Sequence, residues 1–171
     1  MENTALQIDT LTPALRNQVQ DILRQGQDLT LATLRPDGYP QATTLSYASV
    51  GLTLYACVGI DSQKAHNIRQ DKRVSLTINL PYADWQHIKG LSMAAHACIV
   101  SESEEMQRAA SALQQRFPQF ATAMPGGEQL PWAGTVFIKI VPEVISVLDY
   151  TQGFGHTDLA RLPGQTATER S

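Results

Sequence analysis

The apolar residues of this chain change period along its length, and the changes mark its elements. After Thr12-Pro13, the apolar positions Leu15, Val19, Ile22 and Leu23 recur at intervals of three and four, the spacing of one buried helix face. Thr12 suits the N-cap, Pro13 the first helical position and Gly26 the end. From Asp28 the period shortens: Leu29, Leu31 and, after a skip, Leu34 alternate with Thr30 and Thr33 as in a strand. Arg35-Pro36-Asp37-Gly38 is a turn, because proline presets its first corner and glycine accepts positive φ. A threonine-rich strand from Tyr39 to Tyr47, a turn at Ser49-Val50-Gly51 and a strand from Leu52 to Val58 complete an antiparallel meander.

Ser62 then opens a helix that Ala65, Ile68 and Arg69 continue and Asp71-Lys72-Arg73 ends. Val74 to Leu80 is a fourth strand, with Val74, Leu76, Ile78 and Leu80 on one face. Pro81 to Gly90 is a loop, and Leu91 to Val100 a fifth strand, small and apolar on both sides and therefore central. A helix from Ser103 to about Phe117 turns Met106, Ala110 and Leu113 inward. A long loop from Pro118 to Ala133 holds Pro125, Gly126, Gly127 and Pro131. Gly134 to Val141 is a sixth strand, and Glu143 to Tyr150 a seventh or an extension of it. Meandering strands with few helices predict a mainly β, six-stranded antiparallel barrel, closed or partly closed; a doubly wound sheet would need a helix after nearly every strand. The 171 residues fit one domain, 1–171, with an N-terminal helix region at 1–27 and a loosely held tail at 156–171.

Composition narrows the possibilities. Charged residues make up only 17% of the chain, below the usual quarter, which implies that surface is hidden in a partner; a homodimer is the simplest partner. The net charge is −3 and the cations are scattered singly, so the basic stripe needed for nucleic-acid binding is missing. No apolar run approaches a membrane span, and MENTALQIDT is acidic where a signal peptide is basic, so a cytoplasmic location is expected. Cys57 and Cys98 lie in apolar strand runs as small buried hydrophobes, which argues against a disulfide framework. His66, His87, His96 and His156 fall on four different elements and form no metal-binding pair.

The stretch Leu54 to Ile68 carries the candidate chemistry. A strand ends, a short turn follows, and Ser62-Gln63-Lys64 occupy the first turn of a helix, where free N–H groups and the positive end of the dipole attract anions. The same residues also fit an ordinary N-cap beside a solvated lysine. Four landmarks in order, LATLRPDGYPQATTLSY, LTLYACV, SQKAHNI and DKRVSLTI, resemble the FMN-binding split-barrel family typified by pyridoxamine 5'-phosphate oxidase. The resemblance implies that Ser62 and Lys64 hold the FMN phosphate, with Gln63 standing where the oxidases commonly carry arginine. It places Thr43, Thr44 and Leu45 along the isoalloxazine, and Cys57 and Val58 beside the same pocket. It also implies a homodimer with the flavin at its interface, where the partner would supply Met93, His96 and Trp132.

The C-terminal run VISVLDYTQGFGHTDLARLPG departs from that family. It lacks the basic, tryptophan-containing segment with which the oxidases grip the vitamin phosphate. The expectation is therefore an FMN-dependent oxidoreductase of another substrate, without vitamin B6 oxidation. A non-catalytic flavin-binding carrier is the alternative, as is a split barrel that binds haem or a deazaflavin. Gly153-Phe154-Gly155-His156 is similar to the C-terminal loop of split-barrel haem-degrading proteins.

Overall fold

A computed structural model of the protein describes residues 9–120 and 129–162. The strands are β1 (Asp9–Thr10), β2 (Asp28–Leu34), β3 (Pro40–Ser46), β4 (Ala48–Val50), β5 (Thr53–Gly59), β6 (Arg73–Asn79), β7 (Lys89–Ile99), β8 (Thr135–Asp149) and β9 (Thr157–Arg161). The helices are α1 (Pro13–Gln25), α2 (Gln63–Gln70) and α3 (Ser103–Arg116). None is long and apolar enough to cross a membrane.

One mainly antiparallel sheet runs in the order β1-β9-β8-β7-β6-β2-β3, and β5 joins it along the first half of β8. The six strands expected from the sequence are β2, β3, β5, β6, β7 and β8. Their inward residues, among them Leu31, Leu54, Ile78, Met93 and Ile138, form one core that α1 and α2 close with Val19, Ile22, Leu23 and Ile68. Burial of this shared apolar face is what holds the curled sheet together. A second core lies on the other side of β5 and β8, where α3 packs Ala109, Ala110 and Leu113 against Tyr55, Trp132 and Phe137. Arg116, at the end of α3, donates to the carbonyls of Leu23 (3.2 Å) and Gly26 while its guanidinium lies 4.8 Å from the Tyr47 ring centre. It therefore satisfies carbonyls that the end of α1 leaves without helical partners.

Strand β8 is one element across the division seen in the sequence. Its first half pairs with β5, up to Ile140 opposite Leu54, and its second half with β9, from Val144 opposite Arg161. Between them Pro142 sits opposite Ala95, with a bulge at Glu143. Proline has no N–H to give a ladder, and the bulge both tolerates it and turns Glu143 aside.

Three expectations are corrected. On β2 the inward residue after Leu31 is Thr33, which is buried, whereas Leu34 is exposed. The loop 81–90 contains a 3₁₀ turn at Trp85–His87. The tail expected to be loose from residue 156 instead forms β9, anchored by buried Ala160 and Leu162. Residues 1–8, the Gly126-Gly127 part of the long loop and residues 163–171 lie outside the described residues.

Candidate functional site

The first turn of α2 is held from below. Ser62 caps it, with Oγ accepting from the Ala65 N–H at 3.4 Å and its carbonyl accepting from His66 N–H at 3.1 Å. A hydroxyl that accepts through a lone pair still has its O–H to donate elsewhere. Further along the helix Asn67 is fully buried and donates to Thr33 Oγ1 (2.9 Å) and Gln41 Oε1 (3.3 Å), while its own Oδ1 accepts from Gln63 Nε2 (2.9 Å). This polar network ties α2 to β2 and β3 and fixes where the helix start points.

Lys64, half-buried on that first turn, has no ion-pair partner among the described residues. Thr43 follows Gln41 on the inward side of β3, roughly 7 Å further along the strand. Its Oγ1 is buried and has no hydrogen-bond partner. Buried hydroxyls are ordinarily paired, so an orphan beside a polar network marks a place for a ligand or water. The donor set of two helix N–H groups, the Ser62 hydroxyl and the Lys64 ammonium has the chemistry to hold a phosphate. The residues present thus fit the phosphate end of FMN.

The structure brings together only part of the expected set. Thr43 and Thr44 point to opposite faces of β3: Thr44 lies on the outer surface, and Leu45 is buried in the barrel. Because β3 ends the sheet, alternate backbone groups of this strand point off its edge. Gln63 is committed to Asn67 rather than left open toward an anion. Cys57 is half-buried facing the second core and Val58 buried facing the first. Burial pushes the Cys57 thiol up, so it stays protonated near neutral pH. Met93 lies inside the barrel and Trp132 inside the second core, stacked 5.5 Å from Phe120. Neither faces outward in the single chain. His96 does.

His96 borders an open groove of about 460 Å³ on the outer face of the sheet. Ala32, Ser75 and Ala94, neighbours across β2, β6 and β7, form its floor. Leu34 and Pro40 wall one side. At the rim, Arg73 forks onto Asp71 at 2.6 and 3.0 Å and holds that carboxyl down to about 2. His96 Nδ1 lies 3.0 Å from Glu143 Oε1, an ion-pair distance that lacks the alignment of a hydrogen bond. Thr33, Gln41, Asn67, Arg73 and Glu143 are additions to the expected site. Asn67 left a signal in the sequence, a polar residue on the helix face that carries Ile68. Glu143 left none, since a bulge aims it.

The next row of the outer face is Thr44, Thr30, Thr77, Ser92 and Ser146, each opposite the next across five strands. This row carries only small, uncharged side chains and lies on the outer side of a split barrel. A family model described as pyridoxamine 5'-phosphate oxidase matches residues 15–148, and the chain belongs to that family. No curated protein matches the chain. Among solved structures, a haem-binding protein from Mycobacterium smegmatis is similar at 19% identity, with a TM-score of 0.72 over 89% of this chain and 60% of the other. This chain thus spans less than two thirds of that protein's length. A conserved hypothetical protein from Mycobacterium tuberculosis shares 23% identity, with a TM-score of 0.69 over 96% of this chain and 99% of its own. The haem storage protein HutZ from Vibrio cholerae shares 16%, with a TM-score of 0.66 over 86% and 99%. At these identities the likeness is one of fold.

Proposed function

We propose that the protein is an FMN-binding oxidoreductase that works as a homodimer, on a substrate other than a B6 vitamer. The observation that carries this reading is the first turn of α2, where Lys64 has no ion-pair partner among the described residues beside the capping Ser62. Ser62, Lys64 and the free N–H groups would hold the phosphate, and Asn67 would keep the turn in place. Thr43 Oγ1 would give its unused hydrogen bond to the ligand. The flavin would supply the electron transfer, and the protein would supply its position and polarity. The small, uncharged outer face is the surface a second copy would cover.

Titration with FMN under visible and fluorescence detection tests the reading: a yellow complex with quenched FMN emission is expected. Lys64→Ala should weaken binding by ~1–3 kcal/mol, about fivefold to 150-fold, as for a charge-assisted contact. Free FMN at every protein concentration would refute the proposal. Bound FMN that neither NADH nor NADPH reduces would move the protein to the class of flavin carriers. A haem reading draws on the names of two structural neighbours, and a Soret band in place of flavin absorbance would establish it.

A further inference from the structure

The mouth of the 460 Å³ groove sets a proton acceptor opposite a cation, and we propose that the groove binds a planar phenol whose hydroxyl proton passes to His96. The site uses none of the groups assigned to the FMN phosphate and stands independently of that reading. His96 Nδ1 is buried 3.0 Å from Glu143 Oε1. The carboxylate favours the tautomer with its hydrogen on Nδ1, which leaves the lone pair on Nε2. A quarter of the side chain is exposed, and with Nδ1 covered that exposure falls on the rest of the ring, in the groove that His96 lines. Pairs of this kind are often poorly aligned until a ligand is bound. Arg73 stands opposite His96 across β6 and β7. Its Nε and Nη2 donate to Asp71, which leaves the Nη1 hydrogens without a partner among the described residues.

The ligand class follows from what these groups can exchange. A hydroxyl oxygen can donate to the Nε2 lone pair and accept from Arg73 Nη1, whereas a carboxylate cannot donate and an ammonium cannot accept. With His96 neutral, Asp71, Arg73 and Glu143 leave one net negative charge at the mouth, which repels a preformed anion. A neutral acid brings its own proton. The floor of Ala32, Ser75 and Ala94 has no side chain long enough to hold a flat ring off the sheet. Leu34, 38% exposed, closes the apolar side together with Pro40. The volume falls in the range of about 300–1,000 Å³ usual for small-molecule sites. In the transfer the phenol O–H bond breaks and an Nε2–H bond forms. The phenolate then pairs with the imidazolium and Arg73, while Glu143 stabilises the imidazolium from behind. No electron moves, so no oxidant or reductant takes part. An aliphatic alcohol makes the same hydrogen bonds but is too weak an acid to give its proton to imidazole.

The probe is para-nitrophenol, because only its phenolate is yellow. At a mildly acidic pH, where the free probe is mostly colourless, adding the protein should produce a saturable yellow complex with or without FMN. Ala94→Leu, a change on the exposed floor, should abolish the complex. His96→Gln should weaken binding about tenfold and bleach what remains bound, since a carboxamide takes up no proton. Glu143→Gln should leave the probe bound with less of it ionised, the mark of a positioning residue. Benzoate and benzylammonium should not compete. A yellow complex that Ala94→Leu and His96→Gln both leave intact, or no complex at all, would overturn the site. A colourless complex that Ala94→Leu abolishes would overturn His96 as the proton acceptor. A chain that turns the probe yellow yet leaves FMN free would refute the flavin reading and uphold this one.

Discussion

Asn67 decides more of this site than the residues that would touch a ligand. Its side chain reaches β2, β3 and the first turn of α2 together. Asn67→Leu should lower stability by ~1–3 kcal/mol in urea unfolding, because Thr33 loses its buried donor and Gln41 and Gln63 lose their anchor. The same residue explains a misplaced strand phase. Alternation alone could not choose between Thr33 and Leu34 as the inward residue, and the choice is made by an asparagine 34 positions away. Ser62, by contrast, was legible because its cap spans three residues. Tyr47 gives a pH prediction of its own. Burial pushes its phenol up to about 12 from an ordinary 10, against the opposing pull of Arg116. The unfolded chain therefore releases this proton first. Stability should be full below about pH 10 and decline toward pH 12, by up to ~2–3 kcal/mol for this group. Burial raises Tyr55 in the same direction, reinforced by its hydrogen bond to Glu105. Urea midpoints at pH 9 and pH 11 check this, and Tyr47→Phe should flatten the dependence.

Among the elements, helix α1 shows how tight the closure of the barrel is. A Cβ on Gly26 would lie 2.4 Å from Ile78 Cγ2 and 2.9 Å from the Tyr47 hydroxyl, so that glycine is required by close approach, its φ of −64° being ordinary. Gly26→Ala should cost about 1–3 kcal/mol from overpacking, seen as a lower Tm, although alanine is the better helix former. Each of the main strands and all three helices could be read from periodicity, since each buries a face of its own sequence. β9 could not. Its residues Thr157–Arg161 contain little that is apolar, and they become a strand because the second half of β8 offers them an unpaired edge. The division of Thr43 from Thr44 was open to the period-two rule, whereas the burial of Met93 and Trp132 depends on which side of a curled sheet is closed.

For the molecule as a whole, the low charge content of the sequence has a counterpart in the outer rows of alanine, serine and threonine on the sheet. The family was legible in four ordered landmarks. The groove was not, because its floor combines residues from three strands that only the sheet order brings together. That order gives β8 a particular place in biosynthesis. It is the partner of β5 and β7, yet it is synthesised after both, beyond α3. Until then two strands present bare edges, and such non-local pairings form late. A chain terminated after Gly134 should accumulate as aggregate, which the soluble fraction on expression would measure. A folding helper acting on the nascent chain would have most to protect in the interval between the synthesis of Ile99 and that of Asp149.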